Sequence, residues 1–194
     1  SLGSKSINLP LGEVNITRKV KALDIIIRTC ASVNMLTQNK SRLFEKDKIE
    51  YTLRTIKSLL ISSEDPELKK LKINFIVIDH NSTSKNLSNI DNTFKKFNKG
   101  YSLINLNVSK FLNKIEGTND RGEGVTKNQI SNMANIHQSL LESKKCEDLI
   151  YFVEDDYLHK KESISEMIFA YERISSQMNR ELILCPADYP YLYT

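Results

Sequence analysis

A chain of 194 residues with 40% hydrophobic and 27% charged side chains has the make-up of a soluble globular protein and is sized for one domain with a sizeable core. Its formal net charge of +4 is spread over lysines such as Lys69-Lys70, Lys95-Lys96 and Lys144-Lys145. That spread is only a weak nucleic-acid signal, so no nucleic-acid partner is expected, and it could equally assist attraction of anionic nucleotides or peripheral contact with a membrane surface. No stretch is long or apolar enough to span a bilayer, and Cys30, Cys146 and Cys185 are odd in number and outside any C-x-x-C spacing. Neither a disulfide framework nor a zinc site is indicated, and a reducing, cytoplasmic setting is the simplest inference.

In chain order, the first residue is Ser1 rather than Met and no signal-peptide core follows, so Ser1-Leu2-Gly3-Ser4 could be a remnant of processing or of recombinant expression, and residues 1–19 form a polar N-terminal arm. The main domain is expected over residues 20–194. Leu23 to Thr29 (LDIIIRT) is a short apolar run of the kind that forms a buried strand. After a polar loop, Asp47 is a plausible N-cap for a helix carrying Ile49, Leu53, Ile56 and Leu60, stopped at Asp65-Pro66. Lys72 to Ile78 (KINFIVI) reads as a second strand ending at Asp79. A helix with Leu87, Ile90, Phe94 and Phe97 on one face follows, closed by Gly100, and Tyr101 to Leu106 reads as a third strand.

From Asn107 to Val125 the chain is polar and carries Gly117, Gly122 and Gly124. Arg121-Gly122-Glu123-Gly124 could cradle a phosphate, but it lacks the full phosphate-loop pattern and reads more simply as a flexible loop. Thr126-x-x-Gln129 fits a capping box opening a helix with Ile130, Met133, Ile136, His137 and Leu140 on a stripe. Leu149 to Val153 is then a fourth strand. Ser163-x-x-Glu166 fits a second capping box, for a helix with Ile164, Met167, Ile168, Tyr171 and Ile174 inward, and Leu182 to Cys185 reads as a further strand. Alternation at this spacing implies an α/β fold, a mostly parallel, Rossmann-like sheet with helices on both faces.

The fourth strand is the most informative feature, because Leu149-Ile150-Tyr151-Phe152-Val153 runs straight into Glu154-Asp155-Asp156. Three adjacent carboxylates repel one another unless a counterion is present, and Mg²⁺ or Mn²⁺ bridging to phosphate oxygens would relieve them. In a doubly wound sheet the first and fourth strands flank the point where strand order reverses, which is where such folds bind nucleotides. Arg28, Thr29, Asp79 and the acidic triplet would then surround one crevice. Simpler roles stay open: Asp79 could cap the Asn81-Ser82-Thr83 turn, Arg28 could pair with a structural carboxylate, and the triplet could be a solvated turn. His80 and His159 could be ligands or capping residues, and His137 reads as helix packing.

The strand ending IIIRT, the VIDHNST turn, the helix SNMANIHQSLL and the strand ending FVEDD together resemble a glycosyltransferase of the GT-A (nucleotide-diphospho-sugar transferase) fold, of the family 2 type, over about Leu23 to Asp156. In that family the first strand usually ends in a Pro-Thr-Tyr-Asn-like stretch, where this chain has Arg28-Thr29-Cys30. The second ends in an Asp before a Ser-Thr turn and the fourth in a D-x-D or D-D metal motif. The resemblance implies transfer of a sugar from a nucleotide-diphospho-sugar, a UDP-sugar being favoured, to a hydroxyl of a glycan, lipid or protein, with inversion, in the cytoplasm or at the inner face of its membrane. It further implies that Thr29 borders the base, Asp79 accepts from the base's ring N–H, Asp155 approaches the ribose, and Asp156 with Glu154 binds Mn²⁺ or Mg²⁺ on the diphosphate, supplemented by Arg28.

Inverting transfer also needs a carboxylate base, for which Asp188 is in the right part of the chain order. The family's acceptor-binding half normally lies beyond this point, so the resemblance implies a short or truncated version. Two other readings share the sheet: a sugar nucleotidyltransferase, which would carry a glycine-rich phosphate loop where this chain has Cys30-Ala31-Ser32, and a non-catalytic nucleotide-binding module. A phosphoacceptor receiver domain would need its acidic pair at the first strand, where only Asp24 stands.

Overall fold

A computed structural model describes residues 12–32, 47–118 and 122–186. Asp188, Arg121 and Ser1-Leu2-Gly3-Ser4 lie outside these. Among the described residues the strands are β1 (Ala22–Thr29), β2 (Lys72–Asp79), β3 (Ser102–Asn105) and β4 (Leu149–Glu154), and the helices are α1 (Lys48–Ser63), α2 (Ser84–Lys96), α3 (Lys127–Ser143) and α4 (Ser163–Met178). Short 3₁₀ turns occupy Pro66–Leu68 and Val108–Lys114. The strands form a sheet in the order β3-β2-β1-β4, with every pairing parallel. The order therefore reverses between β1 and β4, as the sequence implies, and the α/β class is consistent with a Rossmann-like GT-A fold.

The central strand β1 is buried on both faces, which is why Ile25, Ile26 and Ile27 follow one another without alternation. Leu23, Ile25 and Ile27 point to a core built with Phe75, Val77 and Val153 and closed by Ile56, Leu59 and Leu60 of α1, Ile90 and Phe94 of α2, and Ile164 and Ile168 of α4. Ile26 points the other way, to Ile78, Leu106, Phe111 and Ala134 under α3. Each fully buried Ile or Leu contributes about 1.5–3 kcal/mol of transfer free energy, so the sheet is held from both sides. The helices thus divide as α1, α2 and α4 against α3.

Several ends differ from the sequence expectation. α2 is closed by Asn98, not Gly100: Asn98 takes φ 50°, with its N–H on the Lys95 carbonyl (3.0 Å) and the Lys99 N–H on the Phe94 carbonyl (3.1 Å). This is a Schellman ending, and Asn tolerates the left-handed conformation it needs. Asp47 occupies the N-cap position of α1 without a side-chain cap bond. The Thr126–Gln129 capping box forms in full. The Ser163–Glu166 box does not: Ser163 is already helical, and the next amide, Ile164 N–H, is taken by Ser62 Oγ of α1 at 3.0 Å.

The apolar stripe of α3 is rotated from expectation. Ala134, Asn135, Ser139 and Glu142 are buried while Ile136 and Leu140 are exposed, because the helix lies close to β1 and β2 and small or bonded side chains fit there. Leu182 to Cys185 forms no strand, so β4 is an edge of the described sheet. Glu181 is bonded to Arg18 and Tyr171, which holds the start of this segment against α4, and Ile183 is exposed.

Candidate functional site

Parallel register decides which site residues meet. Arg28 lies beside Glu154, and Thr29 beside Asp79, at the C-terminal ends of three adjacent strands. Laterally paired residues share a face, and successive residues alternate, so the sheet splits the acidic triplet. Glu154 goes to the α3 side and Asp155 to the α1 side, while Asp156 follows beyond the strand.

On the α3 side, the Arg28 guanidinium pairs with Glu154 and donates to Asn132 Oδ1 at 3.1 Å. The arginine side chain is mostly buried and the glutamate half-exposed. These charge-assisted and neutral bonds fix the guanidinium at the C-terminal end of β1. Nearby, His80 Nδ1 and Ser131 Oγ are 2.6 Å apart, and Asn135 Nδ2 donates to the Ile78 carbonyl at 3.2 Å. The first half of α3 is thereby tied to the ends of β1 and β2 through polar side chains.

On the α1 side, Asp79 is buried and fully engaged. Thr29 Oγ1 (2.7 Å) and Ser82 Oγ (2.6 Å) donate to Oδ1, and the Ser82 N–H donates to Oδ2 at 3.0 Å. The turn capped this way passes through Asn81 at φ 58° before Thr83 caps α2 on the Asn86 N–H. Ala31 and Ser32 are bound to the same turn, through Ala31 N–H to Ser82 Oγ (3.0 Å) and Thr83 N–H to Ser32 Oγ (2.8 Å). The wall where the resemblance puts the base is thus a rigid mesh of Thr29, Asp79 and Ser82.

Asp155 is the most enclosed acid of the triplet, at 7% exposure. Lys48 Nζ lies 2.6 Å from Oδ1, while Thr52 Oγ1 (2.7 Å) and the Cys30 N–H (3.5 Å) reach Oδ2. Burial, with Asp79 and Asp155 adding negative potential, pushes the Cys30 thiol up to about 11, so it stays protonated at neutral pH. Lys48 and Thr52 were not singled out in the sequence, although their i, i+4 spacing places both on one face of α1.

Asp156 is exposed. Among the described residues no group of three His, Cys, Asp or Glu side chains is placed to cage a metal. Glu154 and Asp156 offer hard oxygen donors of the type Mg²⁺ takes, with Glu154 already paired to Arg28. His80 and His159 are engaged elsewhere, with Ser131 and with Tyr151 (2.7 Å) respectively, and His137 stacks on Phe111. Gly122 takes φ 76°, Thr118 and Gly124 form an isolated antiparallel bridge, and the Val125 N–H donates to the Gly117 carbonyl.

Set against known proteins, the chain matches no family model and no curated relative. A likeness to a solved structure does exist. The crystal structure of S. aureus TarS overlaps 77% of this chain at 20% identity, with a TM-score of 0.39. The chain spans 19% of that protein's length. No helix among the described residues is long and apolar enough to cross a membrane.

Proposed function

We propose that this chain is the donor-binding part of a metal-dependent glycosyltransferase, which takes a nucleotide-diphospho-sugar and passes the sugar to an acceptor hydroxyl on a glycan, lipid or protein. The observation that carries the reading is the reversal of strand order between β1 and β4, with Arg28, Thr29, Asp79, Glu154, Asp155 and Asp156 gathered at the C-terminal ends of β2, β1 and β4. Open α/β sheets bind ligands in that crevice. In the reaction the bond from the sugar's anomeric carbon to the diphosphate breaks as the acceptor oxygen bonds to that carbon. The nucleoside diphosphate leaves with the electron pair, and a base takes the acceptor's proton.

The developing charge on the leaving diphosphate calls for fixed positive groups. Arg28, anchored between Glu154 and Asn132, supplies one. A Mn²⁺ or Mg²⁺ ion held by Asp156 and Glu154 would supply Lewis-acid stabilisation of the same charge. Thr29, Asp79 and Asp155 form the floor under the nucleoside, and Asp188 is the proposed base.

The test is calorimetric titration with UDP, GDP, CDP and dTDP, with and without Mn²⁺, on the wild type and Asp156→Ala. One nucleotide is expected to bind, only with Mn²⁺, and the substitution is expected to abolish it; rates should then fall about 10²-fold to 10³-fold in a sugar-donor assay. Folded wild-type protein that binds none of the four overturns the reading.

A further inference from the structure

Lys48 sits in the first turn of α1, where the positive end of the helix dipole disfavours a cation. It is nevertheless largely buried, with a side chain 13% exposed, and Asp155 opposite it is 10% exposed. A pair so enclosed gains attraction and loses hydration, so it persists only where additional hydrogen bonds complete it. Here they do: Thr52 Oγ1, on the same helix face, and the Cys30 N–H, at the end of β1, both bond Asp155 Oδ2. One carboxylate therefore joins the ends of α1, β1 and β4, immediately before the exposed Asp156.

We propose that Lys48 is a positioning residue of the donor site. Its ammonium neutralises the middle acid, draws Asp155 to the α1 face and fixes the turn that presents Asp156 to the cation and the diphosphate. The role is additional to the nucleoside contact proposed for Asp155, since Lys48, Thr52 and Cys30 fix the carboxylate by themselves. The inference rests on the nucleotide-sugar reading above.

The experiment measures Mn²⁺-dependent affinity for the nucleotide that the wild type binds, together with Tm, for Lys48→Met, Lys48→Arg and the double variant Lys48→Met/Asp155→Asn. Lys48→Met leaves a buried carboxylate without its cation and frees the turn before Asp156, and affinity should fall about 10-fold to 100-fold, the size of effect seen when residues that orient a metal site are removed. Lys48→Arg should keep most of the affinity. The double variant restores neutrality while an amide oxygen still accepts from Thr52 and Cys30, so both Tm and affinity should recover. If Lys48→Met does not fold, the double variant carries the test.

Restored Tm with affinity still 10-fold or more below wild type would mean that Lys48 meets the phosphate itself, and would overturn the positioning role. Wild-type affinity in Lys48→Met would overturn it too. A wild type that binds no nucleotide instead removes the donor reading, and this proposal with it.

Discussion

His159 stands a few residues beyond Asp156 and pins the loop after β4 to α1. The Tyr151 hydroxyl, 2.7 Å from Nε2, is kept protonated because burial pushes its pKa up to about 12, so it donates to that nitrogen. Nδ1 then carries the ring proton and faces Ser58 Oγ at 3.4 Å, whose own proton goes to the Thr55 carbonyl. Burial lowers the imidazole pKa from 6.5 to about 4. The unfolded chain therefore binds more protons between those values, and the stabilisation by neutral His159 is fully present above pH 6.5 and lost as pH falls towards 4. Tm of the wild type should fall more steeply across that window than Tm of His159→Gln. Allowing for the imidazole's partial exposure, the difference should be on the order of 1 kcal/mol, roughly 2–4 °C. Parallel Tm curves would sink the idea. At this scale the sequence was partly legible. The carboxylates stood out as a run, but Lys48, Thr52 and Ser58 are ordinary helix residues whose partners lie about a hundred positions away, and no local pattern announces such a pairing.

Two helices with the same signature begin differently. Thr126 bonds the Gln129 amide and receives the side chain in return, so α3 is capped by its own residues. The Ser163-x-x-Glu166 pattern is idle, since Ser62 of α1 caps α4 from outside at Ile164. A capping box can be read locally, whereas a cap supplied by another helix depends on the packing of α1 against α4. Thr126→Ala is expected to cost about 1 kcal/mol in urea unfolding at constant m. Ser163→Ala should stay within roughly 0.5 kcal/mol. Ser62→Ala strips the partner from a buried amide and should cost about 1–3 kcal/mol. Equal effects at Ser62 and Ser163 would refute this assignment of the cap. The same contrast explains the strands: β1, β2 and β4 carry dense apolar runs and were legible, while Leu182–Cys185 is too short to reveal that Glu181 ties it elsewhere.

For the whole molecule, the alternation of strands and helices was enough to anticipate a parallel sheet with β4 beside β1, because crossover geometry leaves few other arrangements. What it could not anticipate is how the chain preceding β1 is fastened. The Arg18 guanidinium pairs with Asp148 just before β4 and with Glu181 after α4, and lies 5.5 Å from the Tyr171 ring centre. Thr17 and Arg18 N–H donate to Ser176 Oγ, and Val20 N–H and Lys19 to Glu172. These contacts knit the arm to α4 and to the N-terminal end of β4. The candidate site lies at the other end of that strand, whose 6 residues span about 20 Å. Stability and binding should therefore separate. Arg18→Ala should cost about 1–3 kcal/mol, because Asp148 and Glu181 lose their shared cation, and a cycle with Asp148→Asn should show coupling between the two positions. Nucleotide affinity measured well below Tm should stay at the wild-type value, since the sheet between the two ends is a packed, rigid body. A parallel loss of affinity would mean that the arm reaches the crevice through α4, and that the two ends of β4 do not act independently.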